Sequence, residues 1–115
     1  KQNPFDTFNK VAEKIETILM EAAKLNNVVL QVNRFGSMIN PFFSKNEVVD
    51  FKTAQTSDTE KFKTFFWSMI QNGVFLPPSQ FEAWFLSTAL SNKDLKIIEK
   101  AIYAAMQAID QHHNS

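Results

Sequence analysis

The sequence predicts an α+β fold: a small, mostly antiparallel sheet of three to four strands with helices packed on one face. Three stretches recur at helical spacing, opening near Asn3, Ser57 and Ser91. Between them stand β-rich runs at residues 28–35, 37–44 and 83–90, with a shorter run at 48–51 as a fourth strand. Asn26-Asn27, Gly36-Ser37, Gly73 and Pro77-Pro78 separate the runs. At 115 residues the chain is read as one domain, 1–115, able to bury roughly two thirds of its unfolded surface.

The first helix starts with Asn3 as cap and Pro4 at the first helical position, where a missing N–H costs nothing. Phe8, Val11, Ala12, Ile15, Leu19 and Ala22 form its apolar stripe, opposite Glu13, Lys14, Glu21 and Lys24. Asn26-Asn27 ends it, because asparagine tolerates the left-handed conformation of a helix stop. In the next run Val28, Leu30 and Val32 point one way and Val29, Gln31 and Asn33 the other. Asn33 and Arg34 read as polar residues flanking a turn before they read as ligand contacts. After the reversal at Gly36-Ser37, residues 37–44 return antiparallel. Pro41 has no N–H for a ladder, so this strand is expected at an edge or broken at the proline.

Ser57 opens the second helix with a capping box: its hydroxyl is placed to accept from the N–H of Glu60, and the Glu60 carboxylate to reach back. Phe62, Phe65, Phe66, Met69 and Ile70 make the buried stripe, and Gly73 supplies the stop. Trp67 lies off that stripe and suits docking outside the domain. Ser91, with Asp94 at the box position, caps the last helix, whose buried face is Leu95, Ile98, Ala101, Ile102, Ala105 and Ile109. His112 and His113 are expected in a disordered polar tail.

Composition removes several functions. Twelve basic and twelve acidic side chains cancel, so no field gathers nucleic acid or an anionic membrane. The chain contains no cysteine, which removes disulfides, thiolate nucleophiles and thiolate metal sites and fits a reducing compartment. No apolar run approaches the ~20 residues that cross a bilayer, and a cytoplasmic location is the expectation. With only two glycines there is no phosphate-cradling loop, and no metal-ligand spacing occurs. Both histidines lie at the end of the chain, which leaves no hydrolase triad. Twelve phenylalanines exceed what a small core hides, so some aromatic surface is expected to meet a partner.

One reactive candidate remains, Glu82, between Phe81 and Trp84-Phe85 and stiffened by Pro77-Pro78. A carboxylate beside aromatics loses hydration and becomes a strong partner for an amine. The plain alternative is a glutamate pointing to water, the usual state of this residue.

The run SDTEKFKTFFWSMIQNGVFLPPSQFEAWFLSTAL, residues 57–90, resembles the C-terminal region of the glutamate-1-semialdehyde 2,1-aminomutase family, pyridoxal-phosphate enzymes of the class III aminotransferase fold. The likeness rests on the Ser57-Asp58-Thr59 helix start, the Phe65-Phe66 pair and the GVFLPPSQFEA stretch. The hairpin VNRFGSM at residues 32–38 also resembles a family segment. Departures are Leu90-Ser91, where many members carry histidine then threonine, and Pro41 in a strand that is usually unbroken.

The resemblance implies the C-terminal small domain of a fold type I pyridoxal-phosphate enzyme, inactive alone. A large domain preceding Lys1, absent from this chain, would carry the cofactor's lysine and phosphate contacts. No catalytic, cofactor-binding or metal residue is then expected here, and no cofactor bound to this chain alone. The partners implied are that large domain and, for the full-length parent, a second subunit in a homodimer. Glu82 would help hold the substrate, with Ser79 shaping the loop and lining the cleft beside it. The parent would convert glutamate-1-semialdehyde to 5-aminolevulinate for tetrapyrrole (porphyrin) synthesis. Two other readings stay open: the same domain of another class III aminotransferase, or a non-catalytic interaction module. The latter predicts Trp67 and Trp84 facing solvent in one patch.

Overall fold

The computed structural model describes residues 4–35, 38–45, 47, 50–54, 57–77, 79, 84–85 and 91–113. The elements run α1 (Pro4–Leu25), β1 (Gln31–Phe35), β2 (Met38–Phe42), α2 (Phe51–Ala54), α3 (Thr59–Gln71), β3 (Trp84–Phe85) and α4 (Asn92–His113). The strands form one antiparallel sheet in the order β1-β2-β3, and the three long helices share a core with one of its faces. This is the α+β arrangement the patterning predicts.

In α1, Pro4 takes the first position, and Ala12, Ile15, Ile18, Leu19, Ala22 and Ala23 turn inward. Its end is built by Asn27, at φ 57°. The Val28 N–H donates to the Ala23 carbonyl (2.8 Å) and the Asn27 N–H to that of Lys24 (3.3 Å), which satisfies carbonyls the helix leaves open. The same device closes α3: Gly73 sits at φ 86°, its N–H donates to Ile70 (2.9 Å) and that of Val74 to Met69 (2.9 Å). A Cβ at Gly73 would meet nothing within 4 Å, so the backbone conformation alone calls for glycine. Gly73→Ala is therefore expected to cost about 1–2 kcal/mol, read as a shift in the urea midpoint, with Gly73→Asn costing less.

The start of α3 differs from the expected capping box. Asp58, not Ser57, is the cap, its carboxylate accepting from the N–H groups of Glu60 (3.0 Å) and Lys61 (3.0 Å). The Asp58 N–H is itself held by the Phe43 carbonyl (2.8 Å), which moves the helix start one residue along and turns Ser57 inward. Ser57 is buried, and its hydroxyl has no hydrogen-bond partner among the described residues. Ser57→Ala should thus be neutral or stabilising, whereas Asp58→Ala should lose about 1 kcal/mol in the same denaturation assay. At α4 the expected box does form. The Ser91 N–H donates to Asp94 Oδ2 (2.9 Å) and the Asp94 N–H to Ser91 Oγ (3.1 Å). The Ser91 backbone N–H, then its hydroxyl, hold the Asp94 carboxyl below the usual carboxylate range.

Three further expectations change. Pro41 is expected at an edge or at a break in its strand, yet β2 is the central strand, runs from Met38 through Phe42, and holds Pro41 fully buried opposite Val32. The described pairs of β2 with β3 are Met38 with Phe85 and Ile39 with Trp84, and neither of these two involves Pro41. The run at 48–51 is not a fourth strand where described: Phe51 starts the helical turn α2, capped by Asp50 accepting from the Thr53 N–H (2.8 Å), while Val48 and Val49 lie outside the described residues. Finally, α4 stays helical through His113, whose Nε2 lies 2.8 Å from Thr64 Oγ1 on α3. Packing along α3 carries the helix past the point where its own sequence turns polar.

The two sheet faces are unlike. Residues paired across an antiparallel ladder share a face. Val32, Arg34, Ile39, Pro41 and Trp84 therefore face the helices, where Arg34 Nε meets Glu16 Oε1 of α1 at 3.0 Å. Gln31, Asn33, Phe35, Met38, Asn40 and Phe42 lie on the other face, which among the described residues carries no charge. At its hairpin end Phe35 is 81 % exposed. The Asn40 Oδ1 is buried there without a hydrogen-bond partner among the described residues.

Candidate functional site

The stretch of interest leaves α3 at Gly73 and returns at β3. Val74 and Leu76 pack against the core, which fixes how the chain departs, while Phe75 between them is 80 % exposed. Pro77 and Ser79 are half-buried. Trp84 ends the excursion. It is buried, opposite Ile39 in the sheet, with its ring stacked on Phe65 (centroids 6.0 Å apart, 13° between planes). Phe65 in turn meets Phe43 at 5.5 Å. Both ends of the loop are thus tied to one aromatic core. Of the two candidate substrate contacts, Ser79 lies within this loop, and Glu82 lies outside the described residues, as do Gln80 and Phe81.

Trp67 and Trp84 do not share the solvent-facing patch that an interaction module would need. Trp67 is 59 % exposed, but Trp84 is core. Trp67 lines a shallow groove of about 470 Å³ between α3 and α4, together with Lys63, Thr64, Ser68, His112 and His113. Only the position of Trp67 off its helical stripe hinted at this groove, because its other wall comes from residues some forty positions away. Among the described residues no three acidic or histidine side chains are placed to hold a metal ion, and no helix is long and apolar enough to cross a membrane.

Comparison with known proteins gives the context. No protein-family model matches the chain. It is 49% identical over 94 residues to a glutamate-1-semialdehyde 2,1-aminomutase of Sulfurihydrogenibium sp. (strain YO3AOP1), covering 82% of this chain and 22% of that one. It is 46% identical over 105 residues to the protein of that name from Thermodesulfovibrio yellowstonii, covering 91% and 24%. The chain belongs with the C-terminal part of the glutamate-1-semialdehyde 2,1-aminomutases. A third aminomutase of the family, from Flavobacterium johnsoniae, is 42% identical over 103 residues, covering 87% of this chain and 24% of its own. The chain therefore spans about a quarter of the length of the aminomutases it matches. The fold agrees: an omega-transaminase from Sphaerobacter thermophilus superimposes with a TM-score of 0.79 at 19% identity, covering 92% of this chain and 24% of that one.

Aminomutase and transaminase relatives imply pyridoxal phosphate in a parent enzyme. The described residues here do not fit that group. Binding it requires a lysine in a water-poor cleft and a cradle of N–H donors for its phosphate. Among the described residues no lysine is buried: Lys61 is half-buried and the others stand in solvent.

Proposed function

We propose that this chain is the C-terminal domain of a glutamate-1-semialdehyde 2,1-aminomutase. The parent converts glutamate-1-semialdehyde to 5-aminolevulinate for tetrapyrrole synthesis, and this domain walls one side of its substrate cleft. The observation that carries the reading is the 49% and 46% identity to proteins of that name, over most of this chain. Pyridoxal phosphate, which the large domain of the parent would hold, would supply the electron sink for that chemistry. This domain's part is to bind and to exclude water. Glu82, in the GVFLPPSQFEA stretch, offers a carboxylate to the substrate's amine, a charge-assisted hydrogen bond that strengthens as water leaves. Ser79 shapes the loop beside it. Alone the domain is inactive.

The sheet face that bears Phe35 supports this reading: Phe35 is 81 % exposed at its hairpin end and the described residues of the face are uncharged, which suits covering by another protein layer. We assign it to the large domain. The parent is a cytoplasmic homodimer in this account.

The test is a product assay on the purified full-length protein, with glutamate-1-semialdehyde and pyridoxal phosphate. Formation of 5-aminolevulinate without a second amino donor or acceptor is the expected result. The transaminase likeness of the fold favours one other reading, a class III aminotransferase. Amino transfer to a 2-oxo acid with no 5-aminolevulinate formed would replace the first reading by that one.

A further inference from the structure

We propose that Asn72 is a site of spontaneous covalent modification, deamidation through a succinimide, and that the end of α3 is built so that the folded chain resists it. Asn72-Gly73 is the one asparagine–glycine pair in the sequence. Asparagine is among the chemically labile residues, and a following glycine has no Cβ to shield its nitrogen. In the reaction the Gly73 nitrogen gives up its proton and attacks Asn72 Cγ. An N–C bond forms, the side-chain nitrogen leaves as ammonia, and water then opens the ring to an aspartyl or isoaspartyl link. No oxidant or reductant takes part.

Three features stand in the way. Asn72 Nδ2 donates to the Ser68 carbonyl (2.8 Å), which holds the side-chain amide back along the helix. The Gly73 N–H, whose proton must leave, donates to the Ile70 carbonyl (2.9 Å). Asn72 has ψ 15°, which nearly eclipses the Gly73 nitrogen with the Asn72 nitrogen, whereas ring closure needs it eclipsed with Cβ. All three belong to one helix stop, so they are lost together when the turn opens. Asn72 is exposed, so water reaches it in the folded chain and the backbone controls the rate. The products fit the native turn poorly. While the ring persists, Gly73 has no N–H for Ile70. The carboxylate that hydrolysis leaves cannot donate to the Ser68 carbonyl, and it brings negative charge to the C-terminal end of α3, which the helix dipole opposes. An isoaspartyl link also lengthens the main chain just before Val74, which packs against the core and whose N–H is held by Met69 (2.9 Å).

The experiment incubates the full-length protein in mildly alkaline buffer, native and in urea, and quantifies the peptide spanning Ser68 to Val74 by mass spectrometry, with aspartyl and isoaspartyl forms resolved. In urea, position 72 is expected to lose its amide before any other asparagine of this chain, and in the native protein at least about tenfold more slowly. Asn72→Gln, which would have to close a larger ring, is expected to stay unmodified under both conditions. Equal rates with and without urea would overturn the guarding role of the turn. Earlier loss at another asparagine of this chain in urea would overturn the site itself. The fit of the product is read with Asn72→Asp, which is expected to lower the urea midpoint, and an unchanged midpoint would overturn the claim that the modification loosens the end of α3.

Discussion

Phe65→Ala is expected to lower stability by about 3–5 kcal/mol, enough to leave a domain of ordinary stability partly unfolded. The size follows from position. Phe65 is fully buried and stands between Phe43 and Trp84, so its loss opens a cavity that two large rings border. It also frees the one face-to-face contact holding β3 to α3 among the described residues. Phe65→Leu, which refills much of the volume, should cost distinctly less. Urea denaturation of the purified variants reads both. A loss below about 1 kcal/mol for the alanine variant would mean that the aromatic core is not packed as described.

Glu82→Gln in the full-length enzyme is expected to lower kcat/KM by about 10- to 100-fold, with the circular dichroism spectrum unchanged. The magnitude is that of one hydrogen bond to a charged group, worth about 1.5–3 kcal/mol where water is excluded. Glutamine keeps the shape and loses the charge, so the change isolates the attraction to an amine. Steady-state kinetics on glutamate-1-semialdehyde measures it, and kinetics equal to the unmodified enzyme would return Glu82 to the ordinary class of surface carboxylates.

How far the structure could be read in advance varied with the kind of signal. The long helices were plain because their apolar residues repeat every turn over many residues. Asn27 and Gly73 were legible because few residues accept a left-handed backbone. The cap of α3 was misread by one position: Ser57 and Asp58 both cap well, and the choice was made by a distant group, the Phe43 carbonyl, which claims the Asp58 N–H. Pro41 misled for a related reason. Local chemistry excludes proline from a ladder only where its N–H is needed, and the described pairs of β2 with β3, Met38 with Phe85 and Ile39 with Trp84, do not include Pro41. His113 looked like a tail because its partner Thr64 is 49 residues away. For the site, Gly73 as the start of the loop was legible in the sequence, while Trp84, read there as a neighbour of Glu82, belongs to the core. The role of Glu82 is a proposal, since the residues alone suit a solvated carboxylate equally well.

The proposed contact of this domain with the rest of its enzyme runs through the sheet face that bears Phe35. The chain has no cysteine, so a thiol placed in it is unique within it. Phe35→Cys, on that face, and Lys96→Cys, exposed on α4, are to be made in the full-length protein and treated with a maleimide, the labelled peptides being quantified by mass spectrometry. The thiol at position 35 is expected to react at least about tenfold more slowly than that at 96 in the native enzyme, and equally fast once unfolded. Equal rates in the native enzyme would contradict it.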